Sequence, residues 1–153
     1  MADRTVADST VVWQELVQPE WIDYNGHLSE AYYVLVFGHA TDAVLERVGL
    51  GADYRDRTSC SLFTVEEHIR YLDQVSEGAE LEIRSSVVGA AEKTLHVWHE
   101  MWADGRLRAT EEVLGVHVDA VAGRAAAFPG DVLALVEEVR VEPPADASRR
   151  IRV

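Results

Sequence analysis

Apolar and polar positions alternate along most of this chain, and the exceptions to that alternation locate its helices. Thr10 to Val17 is rich in Val and Trp and predicts a first strand, closed by Pro19. From Ser29 to Val48 the spacing turns helical, with Ser29 as a plausible N-cap and Gly49 as the stop just past the end. About 20 residues would span roughly 30 Å. The first half of this stretch, Ala31 to Gly38, is apolar on every side, so it is expected to be wrapped by other elements.

After a polar loop over Gly51 to Ser59, strands dominate. SLFTVEEHIRYL alternates Val65, Glu67, Ile69 and Tyr71 on one face with Glu66, His68, Arg70 and Leu72 on the other, until Gly78 breaks the run. Leu81 to Val88 and Thr94 to Trp102 follow, separated by the turn-like GAAEK. Asp104-Gly105 is a hairpin signal, and Leu107 to Val118 supplies the next strand of a meander. In Thr94 to Trp102 one face carries Leu95, Val97, His99 and Met101. The other carries Trp98 and Trp102 where water-loving residues are expected, which points to a subunit contact or to aromatics packing on each other. A short amphipathic piece, Asp131 to Val141, precedes Pro143-Pro144 and a basic end. The pattern predicts an α+β domain in which an antiparallel sheet curls around one long helix.

At 153 residues the chain has the size of one domain, taken here as 1–153, and shows no internal repeat or linker. Hydrophobic residues make up 48% of it, and no run reaches the roughly 20 apolar residues of a membrane helix, so a soluble, globular chain is expected. The polar, acidic N-terminal segment lacks the features of a secretory signal, which gives a cytoplasmic expectation. A formal net charge of −13 argues against nucleic acid or an anionic membrane as partner. Cys60 is the single cysteine, so neither an intrachain disulfide nor a cysteine zinc motif is possible. His39, His96, His99 and His117 show no metal-site spacing and read as core or interface histidines, and no phosphate loop, dinucleotide fingerprint or nucleophile elbow occurs. No metal or cofactor is expected.

The candidate chemistry lies in DYNGHLS, residues 23–29, immediately before the long helix. A helix N-terminus leaves N–H groups unpaired and partly positive, a cradle for an oxygen that becomes negative during reaction. Gly26 would let a substrate approach the backbone, and Asp23 stands ready to attack a carbonyl or to deprotonate water. The same string also makes a common surface turn.

The pattern D-x-x-G-H followed by a Tyr-bearing apolar helix, with Gly78 after YLDQVSEG, resembles the hotdog-fold acyl-CoA thioesterases of the 4-hydroxybenzoyl-CoA thioesterase type over roughly Val11 to Asp119. WIDYNGHLSEAYYVLVF, FTVEEHIRYL, LHVWHEMW and GVHVD in that order resemble the betainyl-CoA thioesterase group associated with carnitine breakdown. The resemblance implies a hotdog fold, thioester hydrolysis of an acyl-CoA, and a homodimer or homotetramer with sites at the interface. Coenzyme A would enter as part of the substrate. Asp23 is then the nucleophile or general base, backbone N–H groups over Gly26 to Glu30 are the oxyanion hole, and His27 orients Asp23 or the water. Tyr24, Asn25, Glu30, Tyr33, Glu66 and His68 are expected to contact substrate; Glu30 is either a second carboxylate at the carbonyl or a helix-start acid. Ser29 stands where the family commonly has Asn.

Arg70, Lys93, Arg106 and Arg108 are candidates for the phosphates, and aromatic rings with carboxylates around Asp23 suit a cationic acyl group. A non-catalytic acyl-CoA-binding hotdog domain, a thioesterase for another short or aromatic acyl-CoA, and a dehydratase of related fold stay open as alternatives.

Overall fold

The computed structural model describes residues 9–147. Strand β1 (Val11–Leu16) leads through a short 3-10 turn (Pro19–Trp21) to helix α1 (Glu30–Arg47) and then α2 (Ala52–Thr58). Four long strands follow, β2 (Cys60–Tyr71), β3 (Glu80–Ala90), β4 (Thr94–Ala103) and β5 (Arg106–Asp119), then the two-residue β6 (Arg124–Ala125) and helix α3 (Gly130–Val139). All pairings are antiparallel in the order β1-β3-β4-β5-β2, with β6 beside β5. Of the four strands read as a meander, β3, β4 and β5 pair in sequence order, whereas β2 pairs with β5 at the far edge. Asp104 and Gly105 both take positive φ, 52° and 70°, as the tight turn between β4 and β5 requires.

The sheet curls around α1, which packs on the β1, β3 and β4 half. Tyr33, Val36, Phe37 and Ala40 join Ile83, Met101 and Ala109 in one apolar cluster. Farther along, Val44, Leu45 and Val48 join Leu95, Val97 and the buried face of α3 in a second. Removing a fully buried ring such as Phe37 from such a core costs about 3–5 kcal/mol. Several buried polar side chains are paired. His99, in the concave face, meets Ser85 Oγ through Nδ1 at 2.6 Å and Thr41 Oγ1 through Nε2 at 2.9 Å. Burial lowers its pKa to about 3, so it serves as a neutral strut between sheet and helix.

The structure corrects three expectations. Only one side of α1 is wrapped: Val34 and Leu35 remain 36% and 41% exposed, because β5 and β2 curl away from the helix and leave a seam open. Trp98 is 6% exposed, covered by its own chain, since Val141 and Ala147 of the tail lie on it with Val88. The tail is tied there by the Val141 N–H donating to Val87 O. Trp98 and Trp102 both donate to the Glu100 carboxylate, and Arg84 lies over the Trp102 ring at 4.7 Å, so this face needs no second subunit to account for its aromatics.

Finally, the loop over 51–59 contains α2, whose single buried residue, Tyr54, meets His117 Nε2 at 2.8 Å. Among the described residues no helix is long and apolar enough to cross a membrane.

Candidate active site

The loop before α1 is a small hairpin closed by its own backbone. Ile22 and Leu28 form an antiparallel bridge, the Asp23 N–H donates to His27 O, and the Gly26 N–H donates to Asp23 O, both at 3.0 Å. The Asn25 N–H donates to Asp23 Oδ1 at 2.8 Å. Gly26 sits at φ 80°, and a Cβ there would meet nothing within 4 Å. The positive φ of the turn by itself accounts for the glycine, and its N–H is already engaged. The loop is anchored outward as well: the Leu28 N–H donates to Val75 O, the Ser29 N–H to Trp21 O, and the Trp21 ring stacks on Tyr32 at 5.4 Å.

These bonds narrow the oxyanion donors expected over residues 26–30. Gly26, Leu28 and Ser29 all spend their N–H groups inside the protein. Ser29 is the N-cap of α1 but its side chain makes no capping bond, and Tyr32 already donates to Ser29 O. Within the expected range the N–H groups of His27 and Glu30 have no backbone partner among the described residues, and just past it neither does that of Ala31; those of Glu30 and Ala31 lie in the first turn of α1. They stand at the positive end of an 18-residue helix.

Beside them opens a cleft of about 340 Å³ lined by Asp23, Leu28, Glu30, Tyr33 and, from the end of β2, Tyr71 to Gln74. Asp23 is half-buried; with Oδ1 taken by Asn25, its Oδ2 is the oxygen left for chemistry. Tyr33 and Tyr71 meet edge to face at 5.1 Å. Tyr33 donates to Asp73 O at 3.3 Å, and Tyr71 donates to Glu30 O at 3.4 Å, stitching β2 to the helix start. Burial raises the pKa of both hydroxyls; for Tyr71 the carboxyls of Glu30, Glu111 and Glu67 add to it.

The far wall is fixed by Arg108, 11% exposed, which donates to Asp73 Oδ2, Gln74 O and Ala103 O. Arg108 is thus a tether and not a free cation for a phosphate. Arg106, 70% exposed, also pairs with Asp73.

Asp23, Glu30 and Tyr33 of the expected residues come together in this cleft. His27 is half-buried beside it, its carbonyl holding the hairpin, while Tyr24, 98% exposed, and Asn25 point to solvent at the hairpin tip. Glu66 and His68 do share a face, but it is the face away from α1. His68 pairs across the sheet with Glu112, which is bonded to His96 under the tail side, whereas Ile69 packs in the cluster with Phe37. The alternation puts Glu67 and Tyr71 toward the helix instead. Tyr71 and the Asp73–Arg108 tether carried no sequence signal beyond their place at the end of a strand. Glu111 carried none: it sits in a run that is otherwise buried strand.

A family profile described as the thioesterase-like superfamily matches residues 17–136. A betainyl-CoA thioesterase of Pseudomonas aeruginosa is 43% identical over 139 residues, covering 90% of this chain and 84% of that protein. The crystal structure of a thioesterase candidate from Pseudomonas putida KT2440 superposes with a TM-score of 0.76 at 35% identity, covering 94% of this chain and 97% of that one. A Staphylococcus aureus protein solved in complex with CoA superposes with a TM-score of 0.84 at 24% identity over 94% and 95% of the two chains, a likeness of fold. With the profile spanning the cleft, α1 and the whole meander, this chain belongs to the thioesterase-like superfamily and has its hotdog fold.

Proposed function

We propose that this acyl-CoA thioesterase acts on a small cationic acyl-CoA, betainyl-CoA, with Asp23 as its reacting carboxylate. The observation that carries the reading is the position of Asp23. It shares one cleft with the open first turn of α1, so an attacking oxygen and two N–H donors face the same space. A thioester carbonyl lying between them would direct its oxygen at the Glu30 and Ala31 N–H groups. Asp23 Oδ2 then attacks the carbonyl carbon or takes a proton from the water that does. The C–S bond breaks, CoA leaves as its thiolate, and water completes the carboxylic acid. Donors already fixed at the helix start need no reorganisation as the oxyanion forms, and one such donor is worth about 3–4 kcal/mol of barrier.

Two features support the cationic acyl group: the Tyr33–Tyr71 pair offers ring surfaces to a quaternary ammonium, and Glu30 supplies a carboxylate on the same wall. The named activity of the Pseudomonas aeruginosa relative agrees. Coenzyme A enters as part of the substrate, and no separate cofactor is invoked.

A second copy of the chain completes the reading. β2 is a sheet edge of 12 residues, with Phe63 49% and Val65 58% exposed, beside the uncovered Val34 and Leu35 of α1. An unpaired apolar edge is a template for another strand, and the proposed homodimer pairs there. A cytoplasmic setting fits this reading.

The test compares kcat/KM for betainyl-CoA and for 3,3-dimethylbutyryl-CoA, which replaces the ammonium nitrogen by carbon and so differs in charge alone. Faster hydrolysis of betainyl-CoA is expected. Equal rates would remove the cationic substrate and leave the thioesterase.

A further inference from the structure

The seam between α1 and β2 continues past the cleft. Beyond Tyr33 and Tyr71 it widens into a groove of about 310 Å³, walled by Leu35, Gly38 and Asp42 of α1 and by Glu67 of β2. Glu111 of β5 lines neither cavity but lies buried next to the stretch of β2 that joins them, between Glu67 of the groove and Tyr71 of the cleft. It pairs across the sheet with Ile69, midway between Glu67 and Tyr71, and on its other side with His99, which places it on the face toward the helix. Its carboxyl is within hydrogen-bonding reach of Glu67 and its charge is felt at the Tyr71 hydroxyl.

Glu111 is poorly explained as a structural residue. It is 1% exposed, and its Oε2 receives no hydrogen bond among the described residues. Burial first, and then the carboxylate of Glu67, push its pKa to about 9, so the empty protein keeps a proton there. The groups facing it offer no positive charge: Glu67 and Tyr71 from β2, His99 from β4, held neutral and already bonded to Ser85, and the Thr41 hydroxyl of α1 bonded to that same histidine. An amide or an apolar side chain would suit the fold better than a buried acid without a cation.

The missing cation fits the substrate. In a betainyl thioester the quaternary nitrogen is two bonds from the carbonyl carbon, so an acyl group reacting at Asp23 holds its ammonium within the Tyr33–Tyr71 part of the same cleft. We infer that Glu111, beside Glu67 on the helix-facing side of the sheet, is the specificity-determining counter-charge for a quaternary ammonium acyl group. The arriving cation takes over the role of the proton: the Glu111 O–H bond breaks, the proton leaves to solvent, and the carboxylate left behind faces the ammonium. Tyr71 supplies the ring against which the methyl groups pack. A neutral acyl group of the same shape gives no reason to expel the proton and gains nothing from the pair. This inference rests on the cationic substrate proposed above.

The experiment measures the ratio of kcat/KM for betainyl-CoA to that for 3,3-dimethylbutyryl-CoA in the full chain and in Glu111→Gln. The amide keeps the size and neutrality of the protonated acid but cannot become negative. Because the carboxylate must first lose a proton held to about pH 9, a cation about 5 Å away should make the ratio fall only a few-fold in the variant near pH 7 and about 10- to 100-fold as the pH approaches 9. A wild-type ratio preserved in folded Glu111→Gln overturns the assignment while leaving the cationic substrate intact. A wild-type ratio of one overturns both. Should Glu111→Gln fail to fold by far-UV circular dichroism, Glu67→Gln at the exposed groove wall decides: a reduced ratio supports the pair, and an unchanged ratio overturns it.

Discussion

Replacing Glu111 by Gln should stabilise this protein at neutral and alkaline pH, and the size of the gain follows from linkage. In the unfolded chain Glu111 ionises at its ordinary value of 4.5, and in the folded protein only at about 9. The folded state therefore binds the extra proton between those values, and wild-type stability falls as pH rises through that window. The slope is about 1.4 kcal/mol per pH unit, giving about 3 kcal/mol at pH 7 and at most about 6 kcal/mol by pH 9. Below pH 4.5 both states are protonated and the term vanishes. Gln at this position never ionises, so the variant should lack this decline.

Urea unfolding of both proteins from pH 5 to pH 9 measures it. The difference in unfolding free energy should widen in favour of the variant with each unit of pH. Parallel stability curves would refute the reasoning and mean that water or chain movement solvates the carboxylate in the folded state. With the loss of charge discrimination expected for the same substitution, this would make Glu111 a residue that costs the fold stability in exchange for specificity.

His99 acts on the acid side. With its pKa lowered from 6.5 to about 3, the folded state resists protonation, so stability is full above pH 6.5 and falls as pH drops toward 3. His99→Gln should flatten that acid limb in the same urea titration. Gly26→Ala forces a β-carbon into the left-handed turn at φ 80° and should cost about 1–2 kcal/mol, lowering the melting temperature and slowing thiol release as the Asp23 hairpin loosens. Val65→Lys on the exposed edge of β2 should shift sedimentation from twice the mass of one chain toward the 17.0 kDa monomer, whereas an unchanged dimer would place the contact elsewhere.

Local signals made much of this architecture legible. Ser29 and Gly49 bracket α1 to within a residue, Asp104-Gly105 makes the expected turn, and the alternation in β2 separates its two faces correctly. What escaped depends on chain segments far apart in sequence. The exposed reading of Trp98 failed because the cover comes from residues 141–147, a tail whose path no strand periodicity announces. The choice of Glu66 and His68 over Glu67 turned on which face meets the helix. That follows from the pairing of β2 with β5, and periodicity alone leaves it undetermined. The extent of wrapping around α1 was overstated because an apolar helix surface does not say whether its cover comes from the same chain. For Gly26 the structure adds a reason that the sequence does not show, the left-handed turn that closes the hairpin. The place of Asp23 in the cleft was legible because an acid and a glycine turn just before an apolar helix put a carboxylate beside unpaired N–H groups.

The central claim is that the Asp23 carboxylate, held beside the Glu30 and Ala31 N–H groups, performs the cleavage. Free-thiol release from betainyl-CoA by Asp23→Asn, with circular dichroism matching the parent, tests it most directly, because the amide keeps the size of the side chain and removes its basicity. The account predicts a fall in kcat of about 10²–10⁴-fold with the fold retained. Turnover within a few-fold of the parent would contradict it and move the chemistry away from this cleft.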